Sequence, residues 1–248
     1  MYIDTHSHLN FKDFDNDRDE VIKRTLASGV FLINIGSDYE SSKKAVEIAT
    51  QYGKGVLAGV GLHPGDNKKE IFDFQKYKDL AQNKKVVAIG EFGLDFLNID
   101  EQDKFRQKAL AKQQFDLAKE LNLPVILHCR KAHNELIKML GTQEIKGVVH
   151  CFTGTWQQAQ KYMALGLYLG FNGIIFKMNI EETIKRMPLE KMVLETDCPF
   201  LTPPQAQTKR NEPANVKYIA QKIADARGES LEKIAQITTE NAKKLFKI

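Results

Sequence analysis

The chain has 248 residues, of which 42% are hydrophobic and 27% charged, and a formal charge of +4. This is apolar material enough for a sizeable core, which excludes a disordered or fibrous chain, and the length suits one domain spanning 1–248. The small basic excess permits a polyanionic partner without arguing for one. No apolar run reaches the roughly 18 residues of a membrane span, so no membrane association is expected. The three cysteines, Cys129, Cys151 and Cys198, form no CxxC, which argues against a disulfide framework or zinc ribbon and suits a reducing, cytoplasmic compartment. The chain opens directly into a strand, and no secretory leader is expected.

Short β-branched runs alternate with longer amphipathic stretches. The first strand, Tyr2-Ile3-Asp4-Thr5-His6-Ser7-His8, turns His6 and His8 to the same face. A helix from Asp15 to Ser28 stops at Gly29, and Val30 to Ile35 is the second strand. Ser37-Asp38-Tyr39-Glu40 reads as a capping box for a helix to about Tyr52. The third strand, Gly55 to Leu62, ends in His63-Pro64-Gly65, and a helix fits Lys69 to Gln82. The fourth, Val86 to Ile89, ends in Gly90-Glu91-Phe92-Gly93-Leu94-Asp95, and a long polar helix covers Gln102 to Leu121. Val125 to His128 is the fifth strand, followed by a helix from His133 to Leu140. Gly147 to His150 is the sixth, followed by a capping box, Thr155 to Gln158, and a helix to about Leu165. Leu167 to Phe171 is the seventh, followed by a short helix from Glu181 to Met187. Met192 to Thr196 is the eighth, ending at Asp197, and helices Asn215 to Arg227 and Leu231 to Phe246 close the chain. Eight such units in this length imply a closed (β/α)8 TIM barrel, with a doubly wound open sheet as the alternative. The loop from Cys198 to Ala214 holds four prolines and reads as a stiffened active-site loop.

The ends of these strands carry one kind of chemistry: His6 and His8, Glu91, His128, His150 and Asp197. Barrel enzymes place their reactive groups on that rim. Four imidazoles and two carboxylates suit divalent zinc, manganese, magnesium, nickel or cobalt, and with one carboxylate bridging they suffice for two ions. The plain alternative, unrelated polar residues, leaves Glu91 and Asp197 as buried carboxylates short of partners, at a cost of several kcal/mol. His63 ends a strand too, and its turn can aim the ring at substrate. His133 reads as a surface or helix-start residue, outside the ligand set. Each cysteine follows a proposed ligand, and strand alternation turns the thiols away from the ring as core fillers. Arg130, Lys131, Thr153-Gly154-Thr155 at a helix N-terminus, and Lys209-Arg210-Asn211 are candidates for binding anions, with Arg130 and Arg210 favoured for substrate and Glu212 positioning Arg210. Trp156 reads as packing.

These blocks resemble the TatD family of metal-dependent deoxyribonucleases, within the amidohydrolase-like barrels. The resemblance rests on Asp4-Thr5-His6-Ser7-His8, Gly61-Leu62-His63-Pro64, Ala88-Ile89-Gly90-Glu91 with Gly93-Leu94-Asp95, Pro124 to Arg130, His150-Cys151-Phe152-Thr153-Gly154, Glu195-Thr196-Asp197 and Arg210-Asn211-Glu212-Pro213. It implies that Glu91 bridges two metals, with His6, His8 and Asp197 completing one site and His128 and His150 the other. One departure is visible: Gly65 stands where the family often has a second histidine after His63-Pro64. The implied activity is hydrolysis of DNA phosphodiesters by a metal-activated water, with Asp197 as general base and a monomer as the default state. Two rivals are a metal-dependent amidase or esterase, acting on an aminoacyl-tRNA or a small cyclic substrate, and a non-catalytic nucleic-acid binder. The mild charge and 9% aromatic content argue against the binder.

Overall fold

The structure, a computed structural model, describes residues 1–66, 70–141, 143–208 and 210–248. The expected helix start at Lys69 and the candidate Lys209 lie outside the described residues. Eight strands form one parallel sheet in sequence order: β1 (Tyr2–Ser7), β2 (Val30–Ile35), β3 (Val56–Val60), β4 (Val86–Asp95), β5 (Val125–Arg130), β6 (Gly147–Val149), β7 (Tyr168–Phe171) and β8 (Met192–Leu194). The helices are α1 (Arg18–Ala27), α2 (Tyr39–Gln51), α3 (Phe74–Ala81), α4 (Glu101–Leu121), α5 (His133–Leu140), α6 (Trp156–Ala164), α7 (Glu181–Arg186), α8 (Val216–Arg227) and α9 (Leu231–Phe246).

Closure decides between the two architectures. Ser7 pairs with Cys198 in a parallel bridge, the Asp197 amide donates to the His6 carbonyl at 2.8 Å, and the His8 amide donates to the Cys198 carbonyl at 2.8 Å. An open doubly wound sheet has no such seam between its first and last strands. The fold is therefore a (β/α)8 barrel, as the alternation predicts.

Two apolar layers hold it. Leu32, Val60, Leu127, Val149 and Leu169 face the helices, packed with Phe115, Tyr162 and Ile219. Ile33, Ile126, Val148 and Val193 belong to a second cluster with Leu245 and Phe246 of α9. Ile126 and His128 share a face of β5, while His150 and Asp197 stand just past the ends of β6 and β8. The second cluster thus fills the barrel below the polar rim. The Asn241 side chain donates to the Leu189 and Met192 carbonyls at 2.7 Å each and fixes α9 to the approach to β8.

Caps set several helix starts. Thr155 and Gln158 form the expected capping box. At α2 the cap is Asp38 with Ser41 reciprocating, one residue later than the Ser37 start expected from sequence.

The largest departure is β4, which runs on to Asp95, well past Ile89. The segment from Gly90 to Asp95, expected to follow the strand, stays in the sheet. Register against β5 shifts between Ile89 and Phe92, a bulge that re-aims the side chain between them, Glu91. Gly93 has φ +146°, and a Cβ there would collide with the His128 carbonyl. Gly93→Ala should therefore lower the unfolding free energy by more than about 2 kcal/mol in urea titration. Gly53→Ala, where a Cβ meets open space, should stay within about 0.5 kcal/mol of wild type.

Candidate metal centre

The rim gathers the residues expected from sequence. His6 Nε2 lies 3.1 Å from His8 Nε2 and 3.4 Å from Glu91 Oε2. Asp197 Oδ1 stands 3.8 Å from His6 Nε2 and 3.4 Å from His8 Nε2. On the other side of the same carboxyl group, Glu91 Oε1 is 2.7 Å from His150 Nε2 and 2.8 Å from His128 Nδ1, and those two nitrogens are 3.4 Å apart. The two oxygens of Glu91 thus face two separate donor sets. Bonds of about 2.0–2.1 Å to a tetrahedral cation place donors about 3.3 Å apart, and the observed separations bracket that value.

The surroundings orient the donors. His8 Nδ1 donates to the Ile35 carbonyl at 2.9 Å, which leaves Nε2 as a lone pair facing Glu91 and Asp197. His150 Nδ1 faces Glu195 Oε1 at 3.4 Å, with Nε2 turned to Glu91. Glu195 also accepts from the Cys151 amide at 2.7 Å and Asn172 Nδ2 at 2.9 Å. A Cβ at Gly170 would occupy the space of the Glu195 carboxylate. Among the described residues, His6 Nδ1, His128 Nε2, His150 Nδ1 and Glu195 Oε2 are buried without a hydrogen-bond partner. So many unsatisfied polar atoms in one place mark a site built for a cation rather than a structural network.

His63 differs. The Gly65 amide donates to His63 Nδ1 at 3.0 Å, so the neutral ring carries its proton on Nε2, 3.7 Å from Glu91 Oε1. It presents an N–H to the basin, a hydrogen-bond donor's arrangement.

Asp4 ties the seam together. It accepts from the Thr196 amide at 2.8 Å, from the Thr196 hydroxyl at 2.6 Å and from the His6 amide at 3.2 Å. Burial pushes its carboxyl well above the usual range despite the Thr196 hydrogen bonds.

Other expectations need correction. His133 is no surface residue: it is buried at the start of α5, with Nδ1 3.1 Å from the Tyr162 hydroxyl. Cys198 and Cys129 are buried as expected, but Cys151 lines both cavities at the rim. The chain leaves β6 at Val149, and Cys151 takes φ +45°, which breaks strand alternation. Burial pushes its thiol up to about 12, so it is no thiolate nucleophile. The N-terminus of α6 is closed by its own capping box and is not an open anion cradle. Trp156 packs beneath the Arg186 guanidinium, 4.8 Å from its ring centre.

The two arginines part company. Arg130 is 57% exposed and lines the basin, its Nη1 3.8 Å from Asp95. Arg210 is not brought to the cluster. It pairs in bidentate fashion with Asp17 at 2.7 and 2.8 Å, contacts Glu212 at 3.2 Å and stacks on Phe14. Glu212 in turn pairs with Arg24 at 2.7 Å.

Sequence reasoning assigned no role to Glu195, Asp4 or Asp95. Glu195 had a readable signal, since the expected eighth strand, Met192 to Thr196, sets it two residues before Asp197. Asp95 lies 3.4 Å from His128 Nε2, a contact set by the bulged course of β4.

A (β/α)8 barrel with buried imidazoles and carboxylates pooled at its C-terminal rim defines a metal-dependent hydrolase. The family model described as TatD related DNase matches residues 3–247, and the chain belongs to the TatD family. It is 41% identical to the uncharacterized metal-dependent hydrolase YabD of Bacillus subtilis, each chain covered in full. It is 35% identical to the 3′-5′ ssDNA/RNA exonuclease TatD of Shigella flexneri, with 97% of each chain covered. The crystal structure of YJJV, a TatD homolog from Escherichia coli, superposes with a TM-score of 0.92 at 32% identity, covering 100% of this chain and 98% of that one. No helix among the described residues is long and apolar enough to cross a membrane.

Electrostatics predict a pH signature. Burial opposes charge throughout the ring, yet Asp197 raises His8, Asp95 and Glu91 raise His128, and Glu91 with Glu195 holds His150 well above the ordinary imidazole range. Burial lowers His6, and it lowers His63 to about 4. Above about pH 6.5 unfolded histidines are neutral. A folded metal-free chain then holds extra protons on His8, His128 and His150, and its stability should fall as pH rises through their raised values. Below about pH 6.5 the neutral, buried His6 and His63 reverse the slope. Thermal melting in chelator should therefore peak near neutral pH, whereas metal-loaded protein should hold its midpoint on the alkaline side because cations replace those protons.

Proposed function

We propose that this chain is a phosphodiesterase acting on single-stranded nucleic acid, removing nucleotides from the 3′ end with two divalent cations. The observation that carries the reading is the split of Glu91, one oxygen toward His6 and His8, the other toward His128 and His150. The named activity of the Shigella flexneri relative supports the substrate and the polarity. We further propose that residues 1–248 act as one catalytic domain, monomeric and cytoplasmic.

His6, His8 and Asp197 would hold one cation, His128 and His150 the other, and Glu91 both. Bound there, such cations would supply Lewis acidity toward a water and a phosphate. The chain's own groups do the rest. Although burial would raise it, the Glu91 carboxyl is held well below its ordinary range by His150 and the His128 hydrogen bond, so it stays ionised. Asp197 is the more open carboxylate, 15% exposed against 6% for Glu91, and accepts the proton of the attacking water. His63 Nε2–H donates to a phosphate oxygen, and Arg130 offsets its developing charge. The exposed cation of Arg130 beside the basin favours a phosphodiester over a neutral amide or ester.

Glu91→Gln should lower turnover on end-labelled single-stranded oligonucleotides by at least about 10³-fold and reduce bound metal below that of wild type. Near-normal hydrolysis in that variant would remove the bridge from the account. Arg130→Ala should weaken oligonucleotide binding and make the slope of log K against log salt shallower by about one. Arg210→Ala should leave that slope unchanged and lower thermal stability, because its partners are Asp17, Glu212 and Phe14. Carboxyl-ester substrates, assayed in parallel, should turn over poorly.

A further inference from the structure

Beside the basin lined by the donor cluster, of about 380 Å³, lies a second cavity of about 560 Å³. His128, His150 and Asp197 border both, so the two are continuous at the donor cluster. Phe200 is among the residues that they share. This ring lines each cavity and is 52% exposed, although core phenylalanines such as Phe92 and Phe152 are fully buried. With Met178, also exposed and lining the second cavity, it puts apolar surface beside the donor cluster.

Phe200 is held in place. The Asn211 side chain donates to the Phe200 carbonyl at 2.8 Å and to the Thr196 carbonyl at 3.0 Å, fastening the loop after β8 to the strand that presents Asp197. The Phe200 amide donates to the Asp197 carbonyl at 2.9 Å. Phe11 flanks the ring at 6.3 Å, edge to face, and itself stacks on His8 at 4.5 Å. The platform is therefore registered to two proposed ligands, His8 and Asp197. Across the second cavity stand Ile174, Leu201 and the 42%-exposed Met178, with Arg130, Lys131 and Thr153 supplying polar groups.

Resting on the phosphodiesterase reading above, we propose that this second cavity receives the 3′-terminal base of a single-stranded substrate, stacked on Phe200, while its phosphate lies at the donor cluster. Planar, apolar and aromatic walls match a nucleobase face, and stacking tolerates any base. The volume falls within the range of about 300–1,000 Å³ of small-ligand sites, enough for one nucleotide. A terminal base must leave its partner to enter, which makes the cavity a source of single-strand preference as well as of affinity.

The test uses the metal-loaded enzyme and 5′-labelled single-stranded oligonucleotides. One ends in an ordinary 3′ nucleotide, one in a 3′ abasic residue, and a third carries the abasic residue one position further in. The readout is kcat/KM for the first cleavage. Wild type should favour the base-bearing end over the terminal abasic one about ten-fold. Phe200→Ala should slow only substrates with a terminal base and bring that ratio near one. Phe200→Trp should keep it. An unchanged ratio in Phe200→Ala, an equal loss on both ends, or discrimination only at the inner position would overturn the stacking site. Wild type that leaves every oligonucleotide intact would overturn the phosphodiesterase reading and this inference together, whereas cleavage without discrimination would overturn only the latter.

Discussion

A carboxylate buried at the top of an apolar barrel is the constraint around which this chain is arranged. An ionised group there costs several kcal/mol unless opposite charge surrounds it. Glu91 is buried, and five histidines, His6, His8, His63, His128 and His150, stand within 4 Å of its oxygens. Getting it there requires a bulge in β4 and a glycine at 93 that lets β4 press against β5. Imidazole and carboxylate hold one another ionised when protons are the only available cations. Divalent ions do the same work with stronger bonds, which is the link from packing to chemistry.

The barrel divides its labour along its axis. Below the rim, Ile33, Ile126, Val148 and Val193 give a dry, dense floor closed by Leu245 and Phe246. At the rim, side chains of the same strand faces become ligating types. The seam between β1 and β8 is tied where two of its residues, His6 and Asp197, approach one another. Asp4, Thr196 and paired backbone amides knit it there. A rigid floor under a polar rim preorganises donors that would otherwise repel one another.

Much of this was legible in the chain. Eight strand-and-helix alternations are enough to predict the barrel. His6, His8, His128, His150 and Asp197 stand at strand ends, where an even-numbered spacing reports a shared face. Glu91 was legible as a carboxylate after an apolar run, although Gly90 and Gly93 disguised the strand that carries it. What escaped depended on partners from remote elements. Arg210 has the composition of an anion binder, but α1 places Asp17 against it and removes it from the rim. Cys151 alternates correctly on paper, and a positive φ just past β6 turns it into the cavity wall. The partners of Glu195 and Asp95 come from remote elements, the ends of β6 and β7 bringing His150 and Asn172 and β5 bringing His128 beside them.

The most direct test of the central claim is a crystal of the protein soaked in manganese and measured for anomalous scattering. The account predicts two peaks, one against His6, His8 and Asp197 and one against His128 and His150, each in contact with a different oxygen of Glu91. A single peak, or two peaks of which either lies away from Glu91, would contradict it.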